Sequence, residues 1–229
     1  SIRGGDKMAI IGSNGTGKTT FIKKIVHGNP GISLSPSVKI GYFSQKIDTL
    51  ELDKSILENV QSSSQQNETL IRTILARMHF FRDDVYKPIS VLSGGERVKV
   101  ALTKVFLSEV NTLVLDEPTN FLDMEAIEAF ESLLKEYNGS IIFVSHDRKF
   151  IEKVATRIMT IDNKEIKIFD GTYEQFKQAE KPTRNIKEDK KLLLETKITE
   201  VLSRLSIEPS EELEQEFQNL INEKRNLDK

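Results

Sequence analysis

Hydrophobic residues recur along this chain in two patterns that alternate, continuous short runs and helical spacing. Short apolar runs such as KMAII and TLVLD have the length of buried strands, whereas segments such as VKVALTKVFL repeat apolar residues at helical spacing. Strands are predicted at Lys7–Ile11, Ser37–Gln45, Asn111–Asp116 and Ser140–Ser145, with a hairpin over Arg157–Tyr173. Helices are predicted at Lys18–Gly28, Gly94–Ser108, Met124–Tyr137 and Arg148–Ala155, and a polar helical pattern runs from Leu50 to about Arg82. This order of elements predicts an α/β core with a mainly parallel sheet.

The character of the sequence changes near residue 181, where charged residues become dominant. We therefore predict a core domain over residues 1–180, with a helical subdomain at about 48–108, and a C-terminal extension over 181–229. Apolar residues of the extension are spaced three and four apart at Leu194, Ile198, Val201 and Leu205, and again at Leu213, Phe217 and Leu220. This spacing favours an appended helical hairpin. A solvated, partly ordered tail accounts for the same pattern equally well.

Composition excludes several classes of site and location. The net charge of −2 argues against a nucleic-acid surface spread over the whole molecule, although a local basic patch is compatible with it. The chain contains no cysteine, which excludes disulfides, thiolate zinc sites and cysteine nucleophiles. No apolar run approaches the roughly 20 residues that cross a bilayer, so we expect a cytoplasmic protein without stable membrane insertion. Since the chain starts at Ser1 rather than Met, we also expect a fragment of a longer protein.

A glycine-rich segment between the first predicted strand and the first predicted helix carries the clearest chemical signal. The sequence GSNGTGKT fits the pattern G-x-x-x-x-G-K-[ST], whose backbone N–H groups and helix N-terminus bind nucleotide phosphates. The candidate phosphate-binding residues are Gly12, Ser13, Asn14, Gly15, Thr16, Gly17, Lys18, Thr19 and Thr20. Lys18 is expected at the β- and γ-phosphates, and the hydroxyl of Thr19 at Mg²⁺. A glycine-rich turn without a ligand is the weaker alternative.

Two adjacent carboxylates follow the apolar strand LVL. Asp116 is placed to hold Mg²⁺ beside the phosphate loop, and Glu117 to orient or deprotonate the attacking water. Gln45 and His146 also end predicted strands, and His146 could hydrogen-bond a γ-phosphate there. Ordinary surface carboxylates and a solvent-facing histidine are the alternatives.

A second glycine-rich helix start occurs in LSGGE. Ser93, Gly94 and Gly95 precede a strongly amphipathic helix, which makes another anion-binding N-terminus. Ser93 and Glu96 also fit a capping box, a pattern that usually only begins a helix. Two phosphate-binding helix starts far apart in one chain suggest that they serve different nucleotides.

In combination, these motifs resemble an ATP-binding-cassette (ABC) nucleotide-binding domain over about Ile2 to Tyr173. The resemblance implies that two domains close head to tail, with ATP between the phosphate loop of one and Ser93, Gly94 and Gly95 of the other. It implies catalytic roles for Glu117, His146 and Gln45. It also implies that Mg²⁺ is held by Thr19, Gln45 and Asp116, and that the expected cofactors are ATP and Mg²⁺.

The stretch DEPTNFLD resembles the DEPTNHLD of the ABC-F group, with Phe121 in place of the usual His. Within that group, the chain resembles antibiotic-resistance proteins of the Vga type, and the resemblance implies the second cassette of a tandem protein with its C-terminal extension. The resemblance implies a partner first cassette (or a self-dimer of this chain) and action on the ribosome, including ribosomal RNA. It implies resistance to streptogramin A, lincosamide and pleuromutilin drugs.

Other members of the same superfamily provide the competing interpretations. The ATPase subunit of a membrane transporter is the main alternative, and the head of a DNA-repair or chromosome-organising ATPase is the second. A lysine-rich arm offers a possible contact with the ribosome, through Lys187, Lys190, Lys191 and Lys197.

Overall fold

The protein is described here from a computed structural model. The described residues are 2–13, 15–44, 49–162, 165–180, 194, 197–198, 201–202 and 211–227. They form two compact units, Ser1–Phe176 and Lys177–Lys229.

The first unit contains all the strands of the described chain. These strands are β1 (Lys7–Ile11), β2 (Ile40–Phe43), β3 (Thr112–Asp116), β4 (Ser140–Val144), β5 (Arg157–Asp162) and β6 (Glu165–Asp170). The helices are α1 (Lys18–Val26), α2 (Ile56–Gln61), α3 (Glu68–Arg77), α4 (Gly94–Leu107), α5 (Met124–Glu136), α6 (Arg148–Val154) and α7 (Tyr173–Glu180), with 3₁₀ turns at Arg82–Tyr86 and Ile89–Val91.

The six strands form one sheet in the order β2-β3-β4-β1-β5-β6. All neighbouring pairs are parallel except β5 and β6, which form an antiparallel hairpin. The predicted α/β class with a mainly parallel sheet is therefore confirmed. Its strands β3 and β4 are buried at every position, as expected when helices cover both faces of a parallel sheet.

Hydrophobic residues pack on both faces of this sheet. One face carries a cluster that includes Ile22 and Ile25 of α1 with Val114 of β3. The larger cluster on the other side joins α4, α5 and α6 to the sheet and continues into the helical segment between β2 and β3, where Ile56, Ile71 and Met78 are fully buried. The carboxyl ends of β1, β3 and β4 thus share one edge, since β4 lies between the other two.

Two predicted boundaries are wrong by three residues. The strand predicted at Ser37–Gln45 begins only at Ile40, because Val38 closes a turn on Ser35 and the Lys39 N–H donates to the side chain of Asn111. The hairpin predicted to reach Tyr173 ends at Asp170, and α7 follows. A sequence signal for α7 was present: Thr172 and Gln175 exchange hydrogen bonds in a T-x-x-Q capping box.

The second unit is described in part. Helix α8 (Glu211–Leu227) corresponds to the second arm of the predicted hairpin. Most of the first arm, including Lys187, Lys190 and Lys191, lies outside the described residues, so the hairpin remains a prediction.

Candidate functional site

The loop between β1 and α1 adopts backbone conformations that favour glycine. Gly15 and Gly17 have φ angles of 81° and 93°, in the left-handed region that side chains disfavour. At Gly12, an added Cβ would lie 2.7 Å from the carbonyl oxygen of Ile161, so the strand β5 leaves no room for a side chain. These glycines therefore let the chain turn tightly over the tip of β1.

Helix α1 begins at the end of this loop, and its first N–H groups have no acceptor within the helix. Its N-cap, Gly17, supplies no side-chain hydrogen bond, and no acidic residue lies in the first turn. Such a helix start presents donors and a partial positive charge to an anion.

The side chain of Lys18 lies inside the loop between β1 and α1 and hydrogen-bonds to its backbone. Its Nζ donates to the carbonyl oxygens of Gly12 (2.8 Å) and Ser13 (2.9 Å), and only 7% of the residue is exposed. The ammonium group is thus held within the loop by neutral acceptors, which leaves its charge available to a phosphate.

The side chains of Thr19 and Asp116 meet across the edge of the sheet. The Thr19 hydroxyl donates to Oδ1 of Asp116 at 3.2 Å, and Asp116 is only 2% exposed. Burial raises the pKa of Asp116, while the hydrogen bond from Thr19 and the charges of Lys23 and Lys18 oppose that rise. A desolvated carboxylate beside a hydroxyl is a pair of oxygen donors that suits a hard cation.

The donors present fit Mg²⁺. Within the described residues no group of three His, Asp or Glu side chains could hold a metal ion. Mg²⁺ does not need such a cage, because it commonly takes one or two protein oxygens and completes its shell with phosphates and water. Thr19 and Asp116 would be its ligands or the partners of its bound water.

Glu117 and His146 form a second pair beside the first. The backbone N–H of His146 donates to Oε2 of Glu117 at 3.2 Å, and Nε2 of the ring lies 3.2 Å from Oε1. Glu117 is buried and has a φ of 51°, a left-handed conformation that costs a non-glycine residue on the order of 1–3 kcal/mol. Its N–H donates to the carbonyl of Val144, so the turn after β3 is fixed to the end of β4.

An open cleft of about 430 Å³ brings Lys18 and Thr19 together with the Glu117–His146 pair, while Asp116 lies behind Thr19 and does not line it. Its lining consists of Gly15, Gly17, Lys18, Thr19, Thr20, Glu117, Asn120, Val144 and His146. The sequence motifs do not predict Asn120 at the site, although it lies within the same DEPTNFLD stretch as Asp116 and Glu117. Asn14 and Gln45 lie outside the described residues, so their predicted roles stay predictions.

Ser93, Gly94 and Gly95 do not line this cleft. Ser93 caps α4 and forms a complete capping box with Glu96, whose carboxylate accepts from both the N–H and the hydroxyl of Ser93. These hydrogen bonds lower the pKa of Glu96. The predicted capping box of Ser93 and Glu96 is therefore confirmed, whereas the phosphate-binding role of Ser93, Gly94 and Gly95 stays a prediction.

The start of α4 is packed against the loop that follows Glu117. A Cβ added to Gly95 would lie 2.8 Å from the carbonyl oxygen of Phe121, while one added to Gly94 would meet nothing within 4 Å. Lys99 of α4 pairs with Asp123 at 3.3 Å, and Asp123 caps α5. Phe121 itself is 77% exposed with a φ of 68°.

The sheet and the glycine-rich loop at its edge define a P-loop nucleotide-binding domain. A family model described as ABC transporter matches residues 1–120. The chain therefore belongs to the ABC transporter family, whose ATP-binding domains bind ATP and are ATPases. No helix among the described residues is long and apolar enough to span a membrane.

Several curated proteins are similar to this chain. The ribosome protection protein VmlR of Bacillus subtilis is 35% identical over 236 aligned positions, which cover 100% of this chain and 42% of VmlR. The erythromycin resistance ATP-binding protein MsrA of Staphylococcus epidermidis is 38% identical and covers 67% of this chain and 31% of its own length. ABC transporter F family member 5 of Arabidopsis thaliana is 34% identical, and the alignment covers 89% of this chain and 30% of that protein.

The chain thus spans well under half of the length of these relatives. Among solved structures, the RNase-L Inhibitor aligns with a TM-score of 0.65 at 24% identity, covering 78% of this chain and 37% of that one. At that identity the likeness supports the fold alone.

Proposed function

We propose that this chain binds ATP in the cleft at the sheet edge and hydrolyses it there. The observation that carries the proposal is the convergence on one cleft of Lys18 and Thr19 with the Glu117–His146 pair. A buried lysine next to the N-terminal amides of a helix suits a triphosphate, and a glutamate beside it suits the activation of water.

The hydrolysis step follows from these positions. Glu117 accepts a proton from water as the water oxygen attacks the γ-phosphorus, and the bond from that phosphorus to the β–γ bridging oxygen breaks to give ADP and phosphate. Lys18 and the N-terminal amides of α1 hold the phosphates. Mg²⁺ bound at Thr19 and Asp116 would supply the positive charge that offsets the charge developing on the phosphate oxygens. His146 holds the carboxylate of Glu117 toward the cleft through both its backbone N–H and the Nε2 of its ring.

We further propose that the chain is the second cassette of an ABC-F protein that acts on the ribosome. DEPTNFLD and the relatedness to a ribosome protection protein and to an F family member support this assignment. The similarity to VmlR along the whole chain, including residues after 180, supports placing the C-terminal extension in the same functional unit.

In this proposal Ser93, Gly94 and Gly95 act on nucleotide bound by the first cassette. Their separation from the Lys18 cleft and the exposure of the α4 start favour a role toward a partner domain. The similarity to an erythromycin resistance protein supports an antibiotic-resistance role. Streptogramin A, lincosamide and pleuromutilin drugs are the classes we propose, by resemblance to the Vga type.

The deciding experiment uses the full-length protein with Glu117→Gln and the equivalent change in its other cassette. Ribosomes sedimented with ATP should retain this variant, because it closes on ATP without completing hydrolysis, whereas ribosomes sedimented without nucleotide should not. Glu152→Gln, on the exposed side of α6, is the matched control and should behave as wild type. Equal retention with and without ATP, or retention by membrane vesicles instead of ribosomes, would overturn the ribosomal assignment.

A further inference from the structure

Residues 117–123 connect the end of β3 to the start of α5, and Glu117 is the first of them. Two residues of this 117–123 turn have left-handed backbone conformations, with φ angles of 51° at Glu117 and 68° at Phe121. Residues other than glycine keep such conformations only where the surrounding contacts hold the chain. The contacts around the 117–123 turn are therefore part of what fixes the carboxylate of Glu117.

Strand β4 and the residue after it hold the first half of the turn. The N–H of Glu117 donates to the Val144 carbonyl at 2.9 Å, and the hydroxyls of Thr119 and Ser145 lie 3.3 Å apart. The N–H of Asn120 donates back to the Glu117 carbonyl at 3.2 Å, so the turn is short and closed by its own hydrogen bond. A displacement of its far end is therefore passed on to Glu117.

Helix α4 holds the far end of the turn at two points. Gly95 approaches so closely that an added Cβ would lie 2.8 Å from the Phe121 carbonyl oxygen. Nζ of Lys99 donates to Oδ2 of Asp123 at 3.3 Å. Gly95 and Lys99 are four residues apart and so lie on the same face of the helix. The other carboxylate oxygen of Asp123 caps α5, where it accepts from the Ala126 N–H at 2.8 Å.

One partner of the Lys99–Asp123 pair is buried and the other is not. The Lys99 side chain is only 12% exposed and its Nζ lies 5.9 Å from the centroid of the Phe80 ring, whereas the Asp123 side chain is 60% exposed. A pair that is open to solvent on one side adds little to stability. Because packing restricts the buried lysine, however, its ammonium group is a fixed point to which the carboxylate of Asp123 is tied.

We propose that Lys99 is a positioning residue for Glu117. Through Asp123 it holds the far end of the 117–123 turn, and thereby keeps the carboxylate of Glu117 where hydrolysis needs it. This inference rests on the proposed ATP hydrolysis by Glu117. Lys99 does not line the cleft itself. The orientation of the catalytic glutamate thus depends on the place of α4, because α4 supplies both contacts with the far end of the turn.

The test is Lys99→Gln in the full-length protein, which removes the charge and keeps much of the side-chain length. Phosphate release at saturating ATP, ATP affinity by calorimetry and the thermal midpoint are measured. We expect kcat to fall about tenfold, less than the roughly 100-fold cost of misplacing a catalytic group by about 1 Å, because β4 still holds the first half of the turn. ATP affinity should match wild type, since Lys99 does not line the cleft.

Asp123→Asn breaks the same pair from the other side, and asparagine caps a helix as well as aspartate does. It should lower kcat to a similar extent. The double variant should be no slower than the slower single variant, because both changes remove one contact. Arg77→Gln is the matched control: Arg77 of α3 pairs with Glu136 of α5 at 2.8 Å, so it also joins two helices, but it does not contact the turn. Its kcat should be that of wild type.

The proposal is overturned if Lys99→Gln hydrolyses ATP as wild type does, if its loss of rate adds to that of Asp123→Asn, if its ATP affinity falls as much as its kcat, or if Arg77→Gln is equally slow. Glu117→Gln distinguishes this failure from that of the proposed function. If Glu117→Gln hydrolyses ATP at the wild-type rate, the proposed hydrolysis by Glu117 fails. If it is inactive while Lys99→Gln is normal, only the positioning role of Lys99 fails.

Discussion

Both carboxylate oxygens of Glu117 face a single residue, His146. The backbone N–H of His146 lies 3.2 Å from one oxygen and Nε2 of its ring 3.2 Å from the other. Glu117 follows β3 and His146 follows β4, and these strands are neighbours in the sheet. The direction of the glutamate is therefore set by the strand next to its own.

Removing the imidazole should release one side of this carboxylate. We expect His146→Ala to slow phosphate release on the order of 100-fold, the cost of misplacing a catalytic group by about 1 Å, while ATP affinity changes little. A phosphate-release assay on the full-length protein measures the rate. His27→Ala is the control, because His27 is exposed at the end of α1, where its Nδ1 lies 2.6 Å from the Lys23 carbonyl, and it does not line the cleft. An unchanged rate for His146→Ala would contradict the positioning role.

Lys18 both closes the phosphate loop and supplies its charge. Lys18→Met keeps most of the aliphatic chain but leaves the carbonyls of Gly12 and Ser13 without their donor. ATP affinity should fall by at least about tenfold, because a charge-assisted contact contributes roughly 1.5–3 kcal/mol. Lys24→Met, on the exposed side of the same helix, should bind ATP as wild type does. Similar ATP affinities for Lys18→Met and Lys24→Met would contradict a role of Lys18 in binding ATP.

The two glycines that begin α4 should respond differently to the same substitution. Gly95→Ala would place a methyl group 2.8 Å from the Phe121 carbonyl, and we expect a loss of about 1–3 kcal/mol in unfolding free energy. Gly94→Ala meets open space and should be neutral or stabilising by up to about 1 kcal/mol. Chemical denaturation of the ligand-free chain measures both. Equal losses would mean that the contact with the Phe121 loop is not what makes Gly95 necessary.

Asp116 should destabilise the ligand-free protein at neutral pH. Burial raises its pKa, so the folded state binds a proton more readily than the unfolded state does. Stability from this group therefore falls as pH rises from the ordinary aspartate pKa, about 3.9, through the raised value in the folded state. Asp116→Asn should raise the thermal midpoint at pH 7, and the gain should shrink as pH approaches 4. Its Mg²⁺-dependent ATP affinity should fall. A lower midpoint at pH 7 would contradict this sign.

Much of this arrangement was predictable from local sequence patterns. The run KMAII before GSNGTGKT placed the loop at a strand end, and TLVLD placed Asp116 at another, because continuous apolar runs identify buried parallel strands. The sequence could not show that β4 lies between these strands, since strand order depends on packing between distant segments. Sequence patterns do not predict the contact of Glu117 with His146, or that of Gly95 with Phe121, for the same reason.

Some local features could not be predicted from the sequence either. The left-handed backbone conformations of Glu117 and Phe121 are not predictable, because such conformations are usually recognised by a glycine and these residues are not glycine. The contact of Lys99 with Asp123 depends on the packing of α4 against the 117–123 turn, which no periodicity specifies.

The central position of β1 also has a consequence for the order in which the domain is made. Lys7–Ile11 is synthesised before every other strand of this sheet, yet its two sheet neighbours are β4 and β5, at residues 140–144 and 157–162. Contacts so distant in sequence close late, because the intervening chain must be ordered before they form. The phosphate loop therefore has no sheet to support it until the chain has been synthesised as far as β5, which ends at Asp162. A ribosome stalled earlier would carry a nascent domain with its P-loop sequence present and no site for ATP.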